Sequence, residues 1–329
     1  MKTFPIEKLF EVINETTEIL QEELKCTYLE ALAETGDNLF HQKVMQAELS
    51  ELTEKRLAKK YSEIQLSAYH NEEIRKAYQF AILKGMKNHV QQNHQMTPDT
   101  IGYFISYLLP KFMNGKNEIR LLDHAAGTGN LLTTILNKKA PDVNMHAYAV
   151  EVDDILIRLA YTGANLLMHP IELFHQDGLG PLLIDPVDAV VCDLPVGYYP
   201  NDERAAEFTL KSDEGHSYAH HLFIEQGLNY TKPGGYLFFL IPNDLFETKE
   251  APKLKQFLKE TAYIQAVLQL PFSMFANSQA AKSIFIIQKK KPGIKPPQEV
   301  LLAALPKLSN KEALDKILVK MEKWFQENK

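Results

Sequence analysis

Only two of the 329 residues are cysteine, Cys26 and Cys192, far apart and without metal-ligand spacing. That excludes a disulfide framework and a cysteine-based zinc site, and it fits a reducing compartment. No uninterrupted apolar run approaches the ~20 residues that a membrane span needs. The opening MKTFPIEKLFEV has no apolar core followed by a small-residue cleavage site, so no secretory leader is read there. A cytoplasmic protein without a membrane partner is expected. Positive charge is also short: 36 Lys and Arg against 42 Asp and Glu give a formal net charge of -6. A chain that gripped a polyanion with its whole surface would be basic, so any nucleic-acid contact must use a local patch. Internal repeats and low-complexity tracts are absent. What is present is an ordinary globular balance, 45% hydrophobic and 24% charged, enough for a sizeable core.

Residues 1–92 read as a helical domain. Phe4, Ile6, Leu9, Phe10 and Ile13 recur at helical spacing, and Ile19, Leu20 and Leu24 continue the stripe. In QMTPDTIGYFISYLLP, Thr97 is placed as an N-cap with Pro98 at the first helical position, and Ile101, Ile105, Leu108 and Leu109 share one face. From Glu118 the texture changes. Short apolar runs (IRLLDHA, MHAYAVEV, DAVVCDL, GYLFFLIP, IQAVLQLP, SIFIIQKK) alternate with helical stretches, which implies an α/β sheet with helices on both faces. The last two runs lie close enough to form an antiparallel pair at one edge. The α/β domain is bounded at 93–290, and 291–329 is read as a Pro- and Lys-rich linker followed by one helix. That helix opens on a Ser309–Glu312 capping box and carries Leu314, Ile317, Leu318, Met321, Trp324 and Phe325 on one face.

The chemistry gathers at strand ends. In RLLDHAAGTGN, Gly127 and Gly129 let the backbone turn tightly and approach a ligand, and N–H groups at the following helix start can bind a polar group. The next strand ends in Glu151, about 20 residues further on, where an acid holds a ribose diol in dinucleotide-type folds. Asp177 follows a third short strand in HQDGLGP, and Asp193 ends the fourth, in DAVVCDLPVGYYP. Ligands of open α/β sheets bind outside the carboxyl ends of the strands. His216, His220 and His221 lie near one another, but no Cys or carboxylate spacing supports a metal there, so solvated helix positions and no metal are expected.

The loop reads Asp-x-Ala-x-Gly-x-Gly, not the nicotinamide pattern Gly-x-Gly-x-x-Gly. It resembles the cofactor loop of class I S-adenosylmethionine-dependent methyltransferases. That resemblance implies a Rossmann-like methyltransferase sheet preceded by the helical domain, with S-adenosylmethionine as cofactor. It puts Asp123 at the methionine end and Glu151 on the ribose, with Ala125, Gly127, Thr128, Gly129 and Val152 around them. Asp177, beside Gly178, would accept from the adenine N6 amine. The segment DLPVG resembles the Asp/Asn-Pro-Pro-aromatic signature of amino-methyltransferases acting on adenine N6, cytosine N4 or glutamine N5. Asp193 and the Leu194 carbonyl, fixed by Pro195, would then accept the two N–H bonds of a conjugated amine and expose its lone pair. HQMTP, with Thr97, is similar to the Thr-Pro segment of N6-adenine methyltransferases of the type I modification group. The stretches 220–246 and 268–290 are similar to the helix, Pro-Gly-Gly turn and closing strands of that group.

Two departures stand out. The first signature proline is Leu194, and the aromatic that stacks on the extruded base is Val196. Base stacking is worth about 1–3 kcal/mol; Tyr198 or Tyr199 could supply it from two or three positions later, or both could simply pack the loop. No base-reading module is read after Lys290, so DNA binding alone should be weak, and either a specificity partner or little sequence preference is expected. Methylation of adenine N6 in DNA is the leading expectation. Methylation of another amine, on an RNA base or a protein glutamine, and a cofactor-binding protein that has lost catalysis are the alternatives.

Overall fold

The computed structural model describes residues 4–89, 96–275, 277, 279–307 and 310–329. Four helices come first: α1 (Pro5–Leu24), α2 (Tyr28–His41), α3 (Glu51–Tyr61) and α4 (Asn71–His89). Their sequence explains their ends. Pro5 sits at a first helical position, where its missing N–H costs nothing. Thr27 and Glu30 form a reciprocal capping box at the start of α2, as a polar side chain must where four N–H groups lack intrahelical partners. Leu9, Ile13, Leu32, Ala77, Tyr78 and Ala81 bury their apolar faces together. Helix α5 (Asp99–Phe112) follows, and Ile101, Ile105, Leu108 and Leu109 are all buried, as their spacing predicts. It begins at Asp99, one residue later than Pro98, within the usual uncertainty of a helix boundary.

The α/β part then alternates β1 (Glu118–Asp123), α6 (Asn130–Lys138), β2 (Asn144–Glu151), α7 (Asp154–Leu166), β3 (Ile171–His175) and β4 (Val187–Asp193). It continues with α8 (Asp202–Ala205), α9 (Ala219–Asn229), β5 (Thr231–Pro242), α10 (Ala251–Thr261), β6 (Ala262–Gln269) and β7 (Lys282–Lys289). A short strand β8 (Leu301–Ala304) and helix α11 (Lys311–Asn328) close the described chain. The strands form a mixed sheet in the order β3-β2-β1-β4-β5-β7-β6-β8. Strand β4 is parallel to both β1 and β5 and is buried from Val187 to Cys192, so its VDAVVC run reads as continuous burial instead of alternation. Strand β7 runs antiparallel to both β5 and β6.

The chain divides into two compact units. One holds everything up to Ser106 with Ala126–Ala140 and Ala149–His175; the other holds Tyr107–Ala125, Pro141–Tyr148 and Gln176–Lys329.

Three sequence expectations need correction here. The edge strand is β8, not the β6–β7 pair: Leu301–Ala304 pairs in parallel with Ala266–Gln269, inside a segment read as linker and helix. Four residues carry too little periodicity to reveal such a strand. The proposed cap Ser309 lies outside the described residues; the Asn310 side chain caps α11 by accepting from the Ala313 N–H at 3.1 Å. Finally, His220 and His221 are buried instead of solvated, because α9 is buried from Ala219 to Leu228 on every face.

The C-terminal stripe is buried at Met321, Trp324 and Phe325 and half-buried at Leu314, Ile317 and Leu318. Phe112 is its anchor, with ring centroids 4.9 Å from Phe325, 5.9 Å from Trp324 and 5.3 Å from Tyr236. The Trp324 indole N–H donates to the Glu299 carbonyl at 2.7 Å. Trp324→Ala should therefore cost about 3–5 kcal/mol of stability, read as a lower urea midpoint by circular dichroism. Wild-type stability in that variant would mean that α11 contributes no core.

Candidate active site

In the first unit the chain leaves Ala125 through a tight turn into α6. Gly129 caps that helix with φ at 74°, and Gly127 has φ at 55°, backbone that L side chains rarely adopt. An added Cβ at Gly127 would meet nothing within 4 Å, so the loop presents open backbone. The turn is braced from outside by the Glu151 carboxylate. One oxygen accepts from the Gly127 N–H at 2.8 Å; the other accepts from Val152 and Asp153 at 2.9 and 3.0 Å. Glu151 is thus a support for the loop as well as a candidate ligand for a diol. Val152, next to it, leaves 66% of its apolar surface exposed. Thr128 is buried in the turn, and the Thr97 carbonyl accepts from the Asn130 side chain at 2.8 Å.

The second unit holds the other acids. Asp123 is buried at the end of β1 and accepts from the Ala125 N–H at 3.2 Å. Cys192 lies beside it, and burial, followed by the Asp123 charge and hydrogen bond, pushes its thiol well above the ordinary range. Asp123, His124 and Cys192 place three donor atoms within 4.8 Å of one another. A protonated thiol is a poor metal ligand, and the His124 Nε2–H donates to the Phe223 carbonyl at 2.8 Å, so these groups read as core polar contacts. Asp177 accepts from the Leu179 N–H at 2.9 Å and, on its second oxygen, from the Tyr199 hydroxyl. Gly178 is needed for space: a Cβ there would lie 1.9 Å from the His124 carbonyl oxygen.

Asp193 ends β4, and its carboxylate is ion-paired with the Lys282 ammonium at the start of β7. Leu194 is 1% exposed and its N–H bonds the Leu240 carbonyl, while Pro195 is half-buried and Val196 exposed. The next turn is stitched to the start of α9: the Tyr199 N–H donates to the Ser217 carbonyl at 2.8 Å, and the Ala219 N–H to the Gly197 carbonyl at 2.9 Å. Its two tyrosines part company. Tyr199 points inward onto Asp177. Tyr198 is 64% exposed and stacks on Tyr218, with ring centroids 5.0 Å apart and planes 16° from parallel.

The residues that sequence reasoning missed are Lys282 and Tyr218; His220 and His221 were read as solvated and are buried. Lys282 stands 89 positions from its partner at the head of an apolar strand, so only tertiary structure reveals it. Tyr218 precedes two histidines and carries no motif of its own.

Residues 68–328 match the N-6 DNA methylase family, and residues 7–86 match the YtxK N-terminal helical domain. The chain belongs to the N-6 DNA methylase family. It is 51% identical over 322 residues to the uncharacterized protein YtxK of Bacillus subtilis (strain 168), covering 98% of each chain. A Listeria monocytogenes protein, provisionally described as a class I S-adenosylmethionine-dependent methyltransferase, shares 50% identity with a TM-score of 0.92, covering 98% of this chain and 99% of that one. A modification subunit of a type I restriction system from Streptococcus thermophilus shares the fold, with a TM-score of 0.64 at 14% identity over 97% and 74% of the two chains. Among the described residues of this N-6 DNA methylase family member, no helix is long and apolar enough to cross a membrane.

The buried histidines make this site acid-sensitive. Burial lowers the pKa of His124 to about 4, of His221 to about 4 and of His220, helped by His221 and Lys282, to about 3. Unfolded histidines titrate near 6.5, so between about pH 6.5 and 4 the unfolded chain binds protons that the folded chain refuses. The stabilisation is therefore complete above the unfolded value and is lost as pH falls through that window. The thermal midpoint should drop on acidification from about pH 7 to 5, and less steeply in His220→Gln. A midpoint flat across that range would contradict the burial of these rings.

Proposed function

We propose that the chain is an S-adenosylmethionine-dependent N-methyltransferase acting on the exocyclic amine of adenine in DNA. The observation that carries this reading is Asp193-Leu194-Pro195 at the carboxyl end of a parallel strand buried from Val187 to Cys192, followed by an exposed Tyr198 stacked on Tyr218. The residues fit the cofactor. Open backbone at Gly127 suits a polar ligand, Glu151 suits the ribose, and exposed Val152 suits an adenine face. Asp123 suits the methionine end, while Asp177 and Gly178 suit the adenine edge. Thr128 lies in the same turn as Gly127 and Gly129, and the Thr97 carbonyl is tied to that turn's helix through Asn130.

The cofactor, when bound, supplies an electrophilic methyl group on a sulfonium. The chain's own task is to make a poor nucleophile available. Asp193 and the Leu194 carbonyl would accept the two amine protons, and Pro195 restricts the backbone that presents this carbonyl. The nitrogen lone pair then points away from its ring. On accepting a methyl group the nitrogen would have to lose one proton, and Asp193 would be placed to hold it. An incoming amine competes with Lys282 for the same carboxylate. Tyr198, backed by Tyr218, offers the flat surface that Val196 cannot.

A second reading has its own support. The Lys282–Asp193 ion pair and the replacement of the stacking aromatic by Val196 both suit a cofactor-binding protein without turnover. Tritiated methyl transfer to DNA, RNA and lysate proteins, compared side by side, separates these. Label on DNA supports the proposal; label on RNA or protein moves the substrate to another amine; cofactor binding without label anywhere supports the second reading. In an active enzyme, Asp193→Ala should lower kcat by roughly 10²–10³ with cofactor affinity nearly intact, because the lost acceptor matters most as the amine becomes tetrahedral. Full turnover in that variant would refute amine activation by Asp193. DNA binding by the isolated protein should be weak and strongly salt-dependent, since the net charge of -6 leaves only a few phosphate contacts. A separate protein that reads sequence would then be its partner.

A further inference from the structure

Arg75, on α4 of the helical region, is 3% exposed, and its guanidinium is fully engaged. Nε and one terminal nitrogen grip the Glu72 carboxylate at 2.9 and 2.7 Å. The other terminal nitrogen donates to Asp99 and to the Asn130 side-chain oxygen, both at 2.8 Å. Asn130 is the first residue of α6, directly after Gly129. Its amide nitrogen donates to the Thr97 carbonyl at 2.8 Å and to Asp99 at 3.1 Å. One side chain therefore links α4, the Thr97–Asp99 segment and the turn through Gly127 and Gly129.

A cavity of about 20 Å³, lined by Arg75, Gln79, Met96, Thr128, Asn130 and Thr133, lies against this turn, with room for about one water. Buried Ile74, Tyr78, Ile82, Leu166 and Leu167 line the same cavity, so the polar network works beside apolar packing. A buried ion pair is also weak support for stability in itself, since apolar residues of equal volume often do as well. Its geometry is what is distinctive: a planar fork satisfying three partners at once, which a lysine cannot reproduce.

We propose that Arg75 is a positioning residue for the cofactor loop, acting through Asn130, so that the N-terminal helices are a working part of the cofactor site. This rests on the reading that the loop binds S-adenosylmethionine. The Arg75 fork fixes the Asn130 side chain, Asn130 fixes the first turn of α6, and that turn sets the direction of the loop N–H groups.

The test uses the full chain and S-adenosylhomocysteine as probe. Asn130→Ala cuts the link at the loop and leaves the Glu72–Arg75–Asp99 pairing intact; Arg75→Lys keeps the charge and loses the fork. Each should weaken binding by calorimetry about tenfold, the usual lower range for a group that orients a ligand-binding residue. The thermal midpoint of Asn130→Ala should stay close to wild type, and the double variant should lose less than the product of the two. Asn130→Ala binding as tightly as wild type overturns the proposal. Wild type that binds no S-adenosylhomocysteine defeats the cofactor reading instead. Positioning is then read from hydrogen exchange at the Thr133 and Thr134 amides, which should quicken in both variants; unchanged exchange would overturn it.

Discussion

A strand cannot hand its chain to a helix without accounting for the backbone N–H groups at the turn, and Glu151 accounts for one in the turn before α6 and two in its own. Gly127, Val152 and Asp153 all donate to its carboxylate. The Gly127 and Asp153 N–H groups are part-buried, and a donor shut off from water without a partner costs about 1–3 kcal/mol, so this acid favours the observed loop shape. The same device recurs. Asp123 takes the Ala125 N–H, Asp177 the Leu179 N–H, and Asp153 caps α7 through Ile155 and Leu156. The strand-end acids are internal braces of their own turns. A carboxylate held this way is already oriented and needs no reorganisation to meet a ligand.

Strand β4 shows how position separates two acids of one type. Asp188, near its start, is buried and receives Lys116 at 2.6 Å, Lys232 at 3.1 Å and the Arg120 N–H at 3.0 Å. Burial alone would raise its carboxyl, but these partners hold it below the ordinary range. Asp193, five residues later, has its lysine at the end of the strand where an open α/β sheet meets its ligands. One acid anchors the start of the strand; the other ends it.

What could be read from sequence follows from the range of the forces involved. Helix faces such as Ile101, Ile105, Leu108 and Leu109, and the Val-rich run of β4, are set by local periodicity and burial, so they were legible. Acids at the ends of predicted strands were legible too, because strand ends follow from the same pattern. The Lys282–Asp193 pair was not, since it joins β7 to β4 across the sheet. Neither was the edge strand β8, which exists only because β6 offers it a partner. His220 and His221 looked like polar helix surface, and only the burial of α9 on all sides makes them interior. Tyr198 and Tyr199 were equivalent by spacing; the bridge between Tyr198 and Tyr218 is what turns one outward and the other onto Asp177.

The two cysteines make a pair of clocks. Cys26 is partly accessible, whereas Cys192 is fully buried on the innermost strand with its thiol held protonated. An alkylating reagent would reach Cys26 in the intact molecule but Cys192 only when β4 opens. The ratio of the two labelling rates thus measures how often the centre of the sheet comes apart, in the unmodified chain and without any probe attached to the site.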